Sequence, residues 1–285
     1  MIVPGSTSQS LAAALAAELD EAVAPVTYDR FPDGELLAGI GDVQPDRAIV
    51  VASTTTSDAH LEALQLQDAA REAGADEVIT VLPYMGYARQ DEAFEPGHPV
   101  SARAAARAIG AGTDRVLTVR PHEAAVTEFF DPPAIAVEAA HRLAEPLPAD
   151  LTDPLFLSPD EGAIDLATGV RDAYGAGETD HFEKTRRSGT EVEITPRDAD
   201  VADRDVVVVD DIVATGTTMS ESIAVLGEHG VGRVFVACVH PLLARDATTK
   251  LARAGVEAIF GTDTIERPVS AVSVAPAVAD ALDRG

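Results

Sequence analysis

Val206-Val207-Val208-Val209-Asp210-Asp211-Ile212-Val213-Ala214-Thr215-Gly216-Thr217-Thr218 is the stretch on which the reading of the fold turns. Four consecutive valines predict a strand buried on both faces, the habit of parallel sheets covered by helices. Two aspartates follow where such a strand leaves its sheet, then a small-residue loop and a helical stretch from Thr218 to Glu228. Ligands of open α/β sheets bind at the carboxyl ends of the strands. Gly216 lets the backbone approach a ligand closely. The N–H groups from Ala214 to Thr218, the threonine hydroxyls and the helix N-terminus form a predicted phosphate cradle. Adjacent carboxylates would repel phosphate, so Asp210 and Asp211 are assigned to ribose hydroxyls or a metal-bound ligand. The plainer alternative is a strand-to-helix turn with an aspartate cap.

Outward from this segment, apolar runs alternate with alanine-rich helical stretches, which predicts an α/β protein with mainly parallel sheets flanked by helices. Helices are predicted over 8–19, 61–73 and 101–109 and from about Gly162. Strands are predicted over 48–52, 78–82, 116–119, 155–157 and 234–239. The turn-rich acidic run Glu145-Pro146-Leu147-Pro148-Ala149-Asp150 divides the chain into domains 1–145 and 146–285. The same strand–helix rhythm on both sides predicts two similar domains, although no residue-level repeat is visible. The weakly periodic stretch 174–191, with Gly175, Gly177 and Gly189, reads as a long mobile loop, a kind that is usually functional.

The chain has 285 residues and a formal net charge of −27. So acidic a surface argues against nucleic-acid binding, which needs a basic face. It suits a protein kept soluble in concentrated salt, where screening removes self-repulsion. Lysine occurs only at Lys184 and Lys250, so clustered cations are informative. No apolar run reaches the roughly 20 residues that span a bilayer. The opening Met1-Ile2-Val3-Pro4-Gly5-Ser6 has no signal-peptide character, so a cytoplasmic location is expected. The single cysteine, Cys238, lies in a strand-like apolar run and reads as a structural thiol.

Three further segments and two single residues carry chemistry. Phe31-Pro32-Asp33-Gly34-Glu35 is a prolyl turn presenting an aromatic face with two carboxylates, which suits a stacked adenine. Pro83-Tyr84-Met85-Gly86-Tyr87-Ala88-Arg89-Gln90-Asp91 directly follows a buried strand. Phe182-Glu183-Lys184-Thr185-Arg186-Arg187 holds one of the two lysines; on an extended segment Lys184 and Arg186 would share a face, a fit for a cationic clamp over developing phosphoryl charge. His122 and Asp160 each follow a predicted strand.

The 206–218 stretch closely resembles the phosphoribosyl pyrophosphate motif shared by type I phosphoribosyltransferases and ribose-phosphate pyrophosphokinases. The 31–35 and 83–91 segments are similar to the nucleotide-binding motifs of the pyrophosphokinases, and the motifs stand in that family's order. This resemblance implies transfer of the pyrophosphoryl group of Mg·ATP to the 1-hydroxyl of ribose 5-phosphate, in a salt-adapted member. It implies Phe31, Asp33, Gly34, Glu35, Arg89, Gln90 and Asp91 as ATP contacts, and Arg186, Asp210, Asp211, Ala214, Thr215, Gly216, Thr217 and Thr218 as ribose 5-phosphate contacts. Lys184 and Arg186 become the catalytic pair, and His122 and Asp160 contacts to Mg²⁺. It also implies a homo-oligomer, with the 31–35 turn completing a neighbouring subunit's ATP site, and places ATP on the first domain and ribose 5-phosphate on the second. Departures are Arg120, two positions before His122, where the family usually has an acid; Ala214 for a common aspartate; Thr217 for a common glycine; and Glu92 for a usual base. The competing readings are a phosphoribosyltransferase, which needs no ATP site, and a non-catalytic regulatory homologue.

Overall fold

The computed structural model describes residues 1–186, 192–196 and 199–284. By its contacts the chain forms two units. The first is Met1–Ala139 with Asp263–Glu266 and Ser273–Gly285; the second is Ala140–Thr262 with Arg267–Val272. The sequence expectation drew one boundary, at 145/146.

In the first unit the elements run β1 (Ile2–Pro4), α1 (Gln9–Leu19), β2 (Val26–Arg30), β3 (Leu36–Ile40), β4 (Arg47–Val51), α2 (Ser57–Glu72), β5 (Glu77–Leu82), α3 (Ser101–Gly110), β6 (Arg115–Val119) and β7 (Ala134–Val137). Strands β1-β4-β5-β6-β7 make a parallel five-stranded sheet in that order, and β2–β3 is a separate antiparallel hairpin. Ile49, Val50 and Val51 of β4 and Val78, Val81 and Leu82 of β5 are buried, as a sheet covered on both faces requires. Thr56 caps α2, its Oγ1 accepting the Ala59 N–H at 3.1 Å. Asp58 in the first turn and Arg71 in the last complement the helix dipole.

The second unit runs β8 (Leu155–Ser158), α4 (Ile164–Tyr174), β9 (Glu178–Arg186), β10 (Val192–Pro196), β11 (Val206–Ile212), α5 (Thr217–Glu228), β12 (Val234–His240), α6 (Ala247–Arg253), β13 (Val256–Thr262) and β14 (Ser270–Val272). Its sheet has the order β10-β9-β8-β11-β12-β13-β14, parallel except between β9 and β10. Val206, Val207, Val208 and Val209 are all buried, as the valine run predicts. One expectation is corrected here. The stretch read as a loop over 174–191 contains strand β9, which pairs with β8 on one side and β10 on the other. Its backbone ladder supplies the order that its polar sequence does not advertise.

The two units share one element order. Strand, helix, antiparallel hairpin, strand, helix, strand, helix, strand and strand occur first as β1 to β7 and again as β8 to β14. Hairpin β2–β3 corresponds to β9–β10, and the β4–α2 connection to β11–α5. The duplication expected from rhythm alone therefore lives in topology. The hairpins differ: β2–β3 stands apart, whereas β9–β10 extends the main sheet.

Asp205, at the entrance to β11, shows how the second unit is fastened. It is 3% exposed. Its carboxylate accepts the N–H of Thr152 at 2.7 Å, the N–H of Arg233 at 2.8 Å, and Nε and Nη2 of Arg233 at 3.1 and 2.7 Å. Burial opposes its charge, but these hydrogen bonds hold the carboxyl below its usual range. Its contribution is therefore present above the ordinary carboxylate pKa and is lost as the pH falls through the lowered value. Asp205→Ala strands these donors and should cost about 2–4 kcal/mol in urea unfolding at neutral pH, and less in acid.

Candidate active site

The second unit gathers its predicted residues at one end of its sheet. Asp210 and Asp211 are the last carboxylates of β11, and each accepts the next backbone N–H, Asp211 N to Asp210 Oδ1 at 2.9 Å and Ile212 N to Asp211 Oδ1 at 2.7 Å. Burial first, then the neighbouring Asp211 carboxylate, raises the Asp210 pKa to about 8, and Asp160 adds to the rise. Asp160 belongs to the turn after β8, the strand beside β11; the Ser158 hydroxyl donates to its carbonyl at 2.7 Å.

The cradle follows. Leu243 N donates to Val213 O at 2.8 Å and Ala244 N to Ala214 O at 2.9 Å, so the 243–244 turn holds the loop from behind. Gly216 has φ +66° at the N-terminus of α5, the left-handed region that glycine enters without strain. Thr215 and Thr217 stand exposed, with their hydroxyls 3.4 Å apart; Thr218 is exposed beside them. The first N–H groups of a helix have no acceptor within it, so this end can receive an anion. Sequence reasoning missed one neighbour: Lys250 on α6 places its Nζ 3.1 Å from Thr217 Oγ1. The only available signal was that Lys250 is one of two lysines.

Lys184 and Arg186 lie on β9, their backbones opposite Ile194 and Val192; their side chains fall outside the described residues. Cys238, on β12, is fully buried, and burial raises its thiol pKa far above its usual value, in keeping with a structural role.

In the first unit, Phe31 to Glu35 form the tip of the β2–β3 hairpin. Gly34 N donates to Phe31 O at 2.8 Å, and Phe31 N to Glu35 O at 2.9 Å. Glu35 N donates to Asp33 Oδ1 at 3.2 Å. Gly34 has φ +94°. Phe31 is 49% exposed, a large aromatic face turned to solvent. Arg30, beside the tip, pairs with Asp58 at the start of α2.

The 83–91 segment leaves β5, and His122 follows the adjacent strand β6, so both stand at one sheet end. The Ser/Thr run after β4 grips this segment. Thr54 N donates to Tyr84 O at 2.9 Å, Tyr84 N to Ser53 Oγ at 3.2 Å and Gly86 N to Thr54 Oγ1 at 2.9 Å. A Cβ at Gly86 would lie 2.0 Å from Thr54 O, so only glycine fits. Arg89 is exposed. Gln90 is turned toward α3: its Oε1 accepts the Ser101 hydroxyl at 2.7 Å and its Nε2 donates to Pro99 O at 3.2 Å. Asp91 is partly exposed beside it, and His122 is exposed. Arg120, the departure from the expected acid, forms an ion pair with Glu138 after β7. Among the described residues no group of three or more His, Cys, Asp and Glu is placed to hold a metal ion alone.

Residues 1–112 match the model of the N-terminal domain of ribose phosphate pyrophosphokinase, and residues 126–275 that of the phosphoribosyl transferase domain. A ribose-phosphate pyrophosphokinase of Halobacterium salinarum is 68% identical over 283 residues, covering 99% of this chain and 100% of its own length. That of Methanopyrus kandleri is 45% identical over 287 residues, covering 99% and 98%. The crystal structure of phosphoribosylpyrophosphate synthetase from Mycobacterium smegmatis covers 100% of this chain and 99% of its own, with a TM-score of 0.83 and 27% identity. With relatives aligned end to end and both halves matched by the corresponding domains, the chain belongs to the ribose-phosphate pyrophosphokinase family.

Proposed function

We propose that the chain transfers the pyrophosphoryl group of Mg·ATP to the 1-hydroxyl of ribose 5-phosphate through the residues described above. The observation that carries this reading is the β11 end: two carboxylates beside a hydroxyl-lined helix N-terminus match a sugar phosphate at both of its ends. The anomeric hydroxyl attacks the β-phosphorus, the bond from that phosphorus to the α,β-bridging oxygen breaks, and AMP leaves. Asp210 and Asp211 orient the ribose hydroxyls, and the Ala214–Thr218 loop receives the 5-phosphate. Lys184, Arg186 and Arg89 lie against the phosphoryl oxygens as charge develops. Phe31, Asp33, Gly34 and Glu35 take the adenine. Arg89 and Asp91 face the nucleotide, and Gln90, bonded to the start of α3, holds their segment in place as well as reaching it.

The acidic donor set fits a divalent cation. Burial and the charges of Asp211 and Asp160 leave Asp210 short of countercharge, and Mg²⁺ needs few protein ligands because it keeps several waters. His122 and Asp160 are the residues that would hold it, and it would neutralise the triphosphate. The exposed Phe31 turn supports a homo-oligomer in which a neighbouring subunit completes the ATP site. Among the described residues no helix is long and apolar enough to cross a membrane. The acidic composition supports action in a salt-rich cytoplasm.

The test is AMP formation from ATP, Mg²⁺ and ribose 5-phosphate, first in molar KCl and then with the salt lowered. AMP that depends on ribose 5-phosphate and declines at low salt is the expected result. Folded protein that forms none would leave the regulatory homologue as the better reading, while consumption of phosphoribosyl pyrophosphate with a free base would mark a phosphoribosyltransferase.

A further inference from the structure

We infer that Lys250 is a direct ligand of the phosphomonoester of the sugar substrate, a further substrate-binding residue for this reaction. The inference rests on the ribose 5-phosphate reading of the Ala214–Thr218 loop. Helix α6 lies against that loop: Ala247 Cβ and Leu251 Cγ each lie 3.5 Å from where a Cβ on Gly216 would stand. Lys250 is three residues after Ala247, so helical spacing brings it to the same side of α6. Its ammonium reaches Thr217 Oγ1 at 3.1 Å, at the first turn of α5.

A cation at that place is on the wrong end of the helix dipole, whose N-terminus is itself positive. The arrangement becomes favourable once a dianion sits between the two, taking hydrogen bonds from the α5 N–H groups and charge from the ammonium. Until then Asp246, 3.2 Å away and one turn back on α6, neutralises the lysine; the hydrogen bond from Lys250 is the first cause of that carboxyl's lowered pKa. The loop itself, Ala214 to Thr218, contains no cation. In a chain with 21 lysines and arginines against 48 acids, an ammonium beside the cradle supplies a charge that nothing in the loop provides.

The experiment uses the full chain in molar KCl. Lys250→Met should raise KM for ribose 5-phosphate about 10–100-fold, the range of a lost charge-assisted hydrogen bond. KM for ATP and kcat should stay within about twofold, since neither reports on the 5-phosphate. Lys250→Arg should restore most of the affinity. In thermal unfolding, inorganic phosphate should stabilise the wild type and fail to stabilise Lys250→Met. Lys250→Gln serves if the methionine variant folds poorly. Unchanged KM for ribose 5-phosphate in a folded Lys250→Met or Lys250→Gln variant overturns the inference. If the wild type itself forms no ribose-dependent AMP, the functional reading falls, and the phosphate-dependent unfolding shift still decides whether Lys250 binds the anion.

Discussion

Replacing Lys184 by alanine is expected to lower turnover roughly 10²–10³-fold, the usual loss when a group stabilising transition-state charge is removed. KM for ribose 5-phosphate should change little. The register of β9 supports the placement. Ser158, the last residue of β8, lies opposite His181, so the strand continues past it toward the sheet end that carries Asp160 and the Asp210–Thr218 segment. At about 3.3 Å per residue, the Lys184 backbone stands some 10 Å beyond that point. Phosphoryl-type transfer needs positioning and charge rather than covalent help, so the defect should fall on kcat. Rapid-quench measurement of AMP under saturating substrates checks this, and a rate within a few-fold of wild type would remove Lys184 from the chemistry.

Asp210→Asn should cut turnover by a similar order while making the ligand-free protein more stable. Burial and the charges of Asp211 and Asp160 favour the neutral acid at Asp210 in the folded, metal-free state. The unfolded chain ionises this group above the ordinary carboxylate value of about 4. A pKa raised by folding contributes stability below the unfolded value, and that contribution is lost as the pH rises to about 8. The groups facing Asp210 are Asp211, Asp160 and the buried thiol of Cys238. Asparagine removes the titration, so with EDTA present the variant should unfold several degrees higher than wild type at pH 8, at roughly 2–4 °C per kcal/mol for a protein of this size. The gap should close toward pH 4. A variant less stable than wild type at pH 8 would mean that Asp210 is held charged by contacts that outweigh its burial.

What the sequence disclosed and what it hid follow from the same physics. The valine run and the strands of β4 and β5 announce themselves because burial on both faces selects continuous apolar residues. The antiparallel hairpins do not. Val26-Thr27-Tyr28-Asp29-Arg30 is half exposed, and Glu178-Thr179-Asp180-His181-Phe182 is mostly polar, so neither bears a clear period. Their order comes from ladder bonds to partners that sequence does not name. The shared element order of the two units was legible only as rhythm, because topology outlasts residue identity. Among candidate site residues, contiguous motifs were readable. Lys250 was not, since it meets Thr217 across 33 residues and a change of helix. Thr54, whose hydroxyl fixes Gly86, was hidden in the same way.

The last helix, Ala275–Asp283, packs on α1, its Leu282 carbonyl accepts Arg115 Nη2 at 3.2 Å, and Glu266, ahead of β14, receives the N–H groups of Ser10 and Leu11 at 2.6 and 3.2 Å. A ribosome emits the first 139 residues long before these partners exist. The nascent first unit must therefore wait, with the α1 face uncovered, while the entire second unit is synthesised between its halves. Assembly of the first unit thus waits for residues 263–266 and 273–283, and a chain broken off before them would spoil the part made first.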